Sequence, residues 1–108
     1  MPSYTGPLLM LQGGLDPATV PGPALELAAH FTAPAQTLAW FPQGAHGLVD
    51  GSTLPDGSNC GEALLQAFLL DPEAELDLGC IAETQGVQWD GYEVYNAYFM
   101  GTDDLWGD

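Results

Sequence analysis

Residues 7–19, PLLMLQGGLDPAT, decide how the rest of the chain is read. Pro7 to Gln12 is a short continuous apolar run ended by Gly13-Gly14. That pattern suits a strand buried on both faces, as in a parallel sheet. Gly14-Leu15-Asp16-Pro17 is turn chemistry. Pro23 to Phe31 (PALELAAHF) then predicts an amphipathic helix with Pro near its start, its apolar face built from Leu25, Ala28 and Ala29 with Leu27 and Phe31. Thr37 to Phe41 (TLAWF) is a second strand, closed by Pro42, and Gln43 to Gly47 (QGAHG) is a glycine-flanked loop.

Further along, Asp50 to Asn59 reads as a turn-rich surface loop. Gly61 to Leu70 reads as a helix capped by Asn59 and stopped by Asp71-Pro72. Leu64, Leu65, Phe68 and Leu69 form its expected buried face. Glu73 to Gln85 is acidic and irregular. Asp90 to Met100 predicts a last helix, with Asp90 as cap, Glu93 three residues on, and Tyr92, Tyr95 and Phe99 sharing a face. Strand, helix, strand, helix is the order of a parallel α/β layer. Two parallel strands cannot cover both of their own faces, so strands this apolar imply further elements on another segment or chain.

Composition narrows the partners. The 108 residues hold 15 Asp and Glu and no Lys or Arg, for a formal net charge of −15. Average domains are about 25% charged with both signs present. The acidic content is therefore ordinary, and what is missing is the basic half. Without a guanidinium fork or a basic patch, nucleic acid and anionic membranes are poor partners. Charge steering favours cationic ligands. No run of 18 apolar residues reads as a membrane span. The two cysteines, Cys60 and Cys80, could be a bridge or two buried thiols. Asp50, Asp56, Asp71, Asp77, Asp103 and Asp104 are scattered and read as solvated charges, with a calcium-assisted structural domain as the minor alternative. No cofactor motif is present, with no phosphate-binding glycine loop, zinc spacing or complete EF-hand.

Taken singly, an Asp-Pro after a strand is ordinarily a turn, and a glycine-flanked His is ordinarily a loop residue. The combination is sharper. PLLMLQGGLDPAT followed about 30 residues later by FPQGAHG resembles the end of the α/β-hydrolase catalytic domain. In that fold a late strand ends in Gly-x-x-Asp-Pro and the next ends in a glycine-flanked His. The resemblance implies that Asp16 is the triad acid and His46 the triad base. The His takes a proton from a Ser hydroxyl, and the Asp holds its tautomer and stabilises the imidazolium. The order in this fold is Ser, acid, His, so the Ser is expected upstream. Ala45 stands where many relatives have a second Gly, which matters only if that backbone needs a positive φ. His30, near a helix end, complements the helix dipole and has no catalytic role.

Downstream, Asn59-Cys60-Gly61, then Phe68-Leu69-Leu70-Asp71-Pro72 and Leu78-Gly79-Cys80, are similar to the C-terminal segment of tripeptidyl aminopeptidase-like and proline iminopeptidase-like serine hydrolases. The resemblance covers about residues 5 to 82. It implies a Cys60–Cys80 disulfide and hence a secreted or periplasmic setting, with any export signal outside this chain. A complete hydrolase of this fold needs roughly twice this length.

No Gly-x-Ser-x-Gly elbow is present, and Ser3, Ser52 and Ser58 lie in turn-like contexts. The expectation is therefore the C-terminal part of an α/β-hydrolase over 1–83, followed by a helix and an acidic, aromatic tail over 84–108. It carries acid and base but not nucleophile, and is inactive alone. An N-terminal hydrolase segment is the expected partner and a peptide or ester the expected substrate. The alternative is a non-catalytic interaction module that keeps the hydrolase C-terminal fold.

Overall fold

A computed structural model describes residues 1–106 of the chain. Two strands, β1 (Leu8–Gly13) and β2 (Gln36–Phe41), pair in parallel, with Leu8 opposite Gln36 and Gly13 opposite Phe41. They are joined by helix α1 (Pro21–His30). A short helix, α2 (Leu48–Gly51), follows β2, and α3 (Cys60–Leu70) follows that. A 3-10 turn spans Gly79–Glu83, and α4 is Glu93–Phe99. The strand–helix–strand–helix order of a parallel α/β layer is thus the observed one.

Alternation along the strands divides the sheet into two unequal faces. Leu9 and Leu11 of β1 face the same way as Ala39 and Phe41 of β2. They pack with Leu48 of α2 and Cys60 and Leu64 of α3 into the buried core. Met10, Gln12 and Leu38 face the other way, towards Ala24 and Leu27 of α1. This second face is thinly covered. No residue of α1 is buried, and Leu25 and Leu27 are exposed. Of the apolar stripe expected from Leu25, Leu27, Ala28, Ala29 and Phe31, only Ala28 and Phe31 are half-buried, and within α1 they are joined by Pro21 and Ala24.

Helix α3 departs from expectation in a similar way. Leu64 is buried and Leu65 and Phe68 are half-buried, but Leu69 lies on the solvent side with Leu70. Asn59 does not cap the helix with its side chain, whose Oδ1 instead accepts a bond from Thr53 Oγ1. Ser52 takes over that task. Its hydroxyl accepts the Gly61 N–H at 2.7 Å and donates to the Leu48 carbonyl at 2.6 Å, tying the end of α2 to the start of α3. The stretch expected as a turn-rich surface loop, Asp50 to Asn59, instead begins within the end of α2 and closes with a Thr53–Asn59 bridge.

The radius of gyration is 16.9 Å, against about 13 Å for a compact chain of this length. In α4 the Asp90 side chain makes no cap, while Asn96, buried, donates to the carbonyls of Asp90 and Asp103 and closes the segment on itself. Tyr92, Tyr95 and Phe99 remain exposed. The side chain of Glu93 and residues 107–108 of the expected tail lie outside the described residues. Among the described residues no helix is long and apolar enough to cross a membrane.

Cys60 and Cys80 are joined by a disulfide across 20 residues of sequence. It fastens the 3-10 turn to the fully buried start of α3. A loop of this size contributes roughly 3 kcal/mol in the chain-entropy model. Reduction should therefore lower stability by about that amount, read as a drop in the midpoint of thermal unfolding between oxidised and reduced protein. An unchanged midpoint would show that the 3-10 turn adds nothing to the core.

Candidate active site

The two loops that follow β1 and β2 leave the same edge of the sheet, because the strands are parallel and end in register. The backbone ladder continues past the strands. Gly14 N–H donates to the Phe41 carbonyl at 2.8 Å, and Leu15 N–H donates to the Gly44 carbonyl at 3.0 Å. The loops are this close only because position 13 is glycine. A Cβ there would overlap the carbonyl oxygens of Gly44 and Ala45.

Asp16 is buried, and both of its carboxylate oxygens are used. Oδ1 accepts the N–H groups of Ala18 at 2.8 Å and Thr19 at 2.9 Å. Oδ2 lies 2.9 Å from Nδ1 of His46. The Thr19 N–H, first, then the His46 contact and the Ala18 N–H hold the Asp16 pKa below the ordinary carboxylate value, against an opposing push from burial. An ionised carboxylate only accepts hydrogen bonds. Nδ1 of His46 must therefore carry the proton, and in the neutral ring Nε2 is left as an acceptor. Nε2 has no hydrogen-bond partner among the described residues, and the side chain is 63% exposed. Asp16 thus fixes the tautomer and the direction of an imidazole whose other nitrogen faces outward.

Gly47, with φ 75°, turns the chain from the His46 loop into α2. No described non-glycine residue has positive φ, so Ala45 sits in ordinary backbone and a second glycine there is not required. Beside the Asp–His pair lies a cleft of about 290 Å³ lined in part by Gln12, Thr19 and Leu48. A larger hollow of about 540 Å³ between Trp40, Gln43 and Ile81 touches neither Asp16 nor His46. Only the smaller one contains the Asp16–His46 pair.

The remaining polar candidates are occupied in other ways. The Ser52 hydroxyl is spent on backbone groups, Ser58 Oγ donates to Asp56, and Ser3 is exposed near the start of the chain. None of the three hydrogen-bonds His46. His30 Nε2 lies 3.0 Å from the Pro2 carbonyl. Among the described residues no group of three or more His, Cys, Asp or Glu could hold a metal. Two polar residues that carry no motif turn out to matter, Gln12 and Thr19. Gln12 had one visible signal, a lone amide inside an otherwise apolar strand.

An Asp loop after one parallel strand and a His loop after the next, in that chain order, places the molecule in the α/β-hydrolase class. Residues 2–80 match the model of the TAP-like protein family, and the chain belongs to that family of α/β-hydrolases. The match ends at the second half of the disulfide, so residues 84–106 lie outside it. Neither a curated protein nor a solved structure matches the chain.

A depressed Asp16 pKa carries a definite sign. Its stabilising contribution is present above the unfolded value of about 3.9 and is lost as pH falls through the folded value. In a ¹³C carboxyl titration, Asp16 should protonate at lower pH than an exposed aspartate. A midpoint at or above the ordinary range would show that the two amides do not hold Oδ1.

Proposed function

We propose that this chain supplies the acid and base of a serine exopeptidase of aminopeptidase type, with Asp16 orienting His46 and His46 Nε2 acting as general base. The observation that carries the proposal is the 2.9 Å Nδ1–Oδ2 contact, with Nε2 left open to solvent. In this reading a Ser hydroxyl gives its proton to Nε2 as its oxygen attacks the substrate carbonyl. The imidazolium, stabilised by Asp16, returns that proton to the departing amine. Water then repeats the sequence and releases the acyl group.

The serine comes from hydrolase polypeptide outside residues 1–108. Three observations support such a partner segment. The sheet has only two strands and both of its edges are open. α1 exposes Leu25 and Leu27. The chain is more extended than a closed domain of its length. The aminopeptidase assignment rests on the likeness to tripeptidyl aminopeptidase-like enzymes. It is helped by a surface with no Lys or Arg, which attracts a free N-terminal ammonium and repels carboxylate-rich ligands. The disulfide supports a secreted or periplasmic setting.

A second reading is a non-catalytic interaction module that keeps the family fold. It is favoured by one fact, that none of Ser3, Ser52 and Ser58 hydrogen-bonds His46.

The isolated chain should show no turnover of aminoacyl or peptidyl chromogenic amides or of simple esters. Turnover that His46→Ala abolishes would overturn the need for an outside serine. Joined to the serine-bearing segment, the assembly should hydrolyse such amides. There Asp16→Asn should lower kcat on the order of 10⁴-fold, and His46→Ala at least as much. A folded Asp16→Asn assembly with near wild-type activity would remove Asp16 from the acid role. An assembly that folds and hydrolyses nothing would favour the interaction module.

A further inference from the structure

Gln12 is the one polar side chain in a strand otherwise made of Leu8, Leu9, Met10, Leu11 and Gly13. It is only 5% exposed. A buried carboxamide among aliphatic neighbours destabilises unless its hydrogen bonds are made, and here they are made in a particular place. Nε2 donates to the carbonyl of Gly13 and to the carbonyl of Thr19, each at 2.9 Å. Those carbonyls stand at the beginning and the end of the turn that carries Asp16. The Gly13 carbonyl also accepts the Asp16 N–H at 3.4 Å. Thr19 in turn presents its N–H to Asp16 Oδ1.

We infer that Gln12 is the positioning residue of the Asp–His pair. Its carboxamide closes the turn from Gly13 to Thr19 and so aims the Asp16 carboxylate at His46 Nδ1. This rests on the reading of Asp16 and His46 as acid and base, and it adds the group that holds them. Gln12 acts through Asp16 and touches no reacting atom.

The residue type follows from the task. Two carbonyls must be met from one atom, and among uncharged side chains only a carboxamide NH₂ offers two N–H donors. A Glu carboxylate would offer none and would set a second negative charge near Asp16. A Met would fill the space and leave both carbonyls unmet. The Thr19 N–H, on the residue whose carbonyl Gln12 holds, is also the largest influence lowering the Asp16 pKa.

The molecule contains its own control. Gln36, at the opposite end of the same two strands, makes the same double clamp from Nε2, to the carbonyls of Tyr4 at 2.8 Å and Gly6 at 3.0 Å. Removing either clamp costs structure, but only one of them bears on Asp16.

The test compares Gln12→Met with Gln36→Met in the full chain. The readouts are the thermal midpoint, the ¹³C carboxyl titration of Asp16 and the ¹⁵N-detected Nδ1–H of His46. Both variants should lose thermal stability. Gln12→Met alone should move the Asp16 midpoint up towards the ordinary carboxylate range and speed exchange of the His46 Nδ1–H. In the assembled hydrolase it should lower kcat about 10- to 100-fold, as loss of an orienting partner commonly does, with KM nearly unchanged. If Gln12→Met does not fold, Gln12→Asn, whose shorter reach can meet at most one carbonyl, should give a smaller shift in the same direction. An Asp16 titration and Nδ1–H exchange unchanged in the folded variant, or changed equally by Gln36→Met, would overturn the inference. The spectroscopic readouts need no turnover, so they remain decisive even if the chain proves to be a non-catalytic module of the family.

Discussion

The parallel backbone ladder between β1 and β2, and its extension into the loops beyond, is the constraint from which the site follows. Parallel pairing sends both chains out of the same edge, and register brings Gly13 opposite Phe41. Two further backbone bonds, from Gly14 and Leu15, keep the loops side by side after the strands have ended. Asp16 and His46, 30 residues apart in sequence, then meet without needing a long reach from either side chain. An antiparallel arrangement of the same segments would send the two loops to opposite ends of the sheet.

That ladder is supported mainly from one side. Leu9, Leu11, Ala39 and Phe41 meet Leu48, Cys60 and Leu64, and the disulfide draws the 3-10 turn onto the same core. The close approach of α2 and α3 is sealed by a single hydroxyl, Ser52, which serves as acceptor for one helix and donor to the other. The opposite face holds Met10, Gln12 and Leu38 beneath a helix with no buried residue. A site built on so small a sheet needs local bracing, and buried amides and hydroxyls provide it where large apolar side chains do not.

Electrostatics in a chain without Lys or Arg follow a restricted rule. Carboxylates here cannot be neutralised by guanidinium or ammonium side chains, so they turn to backbone N–H groups. Asp56, Asp71 and Asp77 each accept the N–H of the residue two positions on. Asp16 does the same with Ala18 and adds Thr19. What distinguishes Asp16 is its second oxygen, which faces an imidazole, while its first is immobilised by amides. The pairing gives His46 a fixed tautomer, with its Nδ1–H directed at Asp16.

Much of this was legible in the chain itself. A continuous apolar run ended by Gly13-Gly14 identifies a strand of a parallel sheet, and β1 is one, although only its last two residues, Gln12 and Gly13, are buried. Gly-x-x-Asp-Pro and Gly-Ala-His-Gly stand in the two loops that the ladder brings together, with Asp16 Oδ2 2.9 Å from His46 Nδ1, while their reading as acid and base comes from the family resemblance. The tertiary structure decided what local pattern could not. Leu25, Leu27 and Leu69 look like core residues by periodicity, yet all three are exposed, Leu27 at the rim of the thinly covered face beside Met10 and Leu38, because burial depends on what lies opposite. Asn59 has the chemistry of a helix cap, but Ser52, nine residues before Gly61, accepts the Gly61 N–H from another turn of chain. Gln12 is merely a polar residue in a strand until the fold brings the Thr19 carbonyl beside that of Gly13. Such roles arise from long-range placement of backbone groups, which no short window of sequence contains.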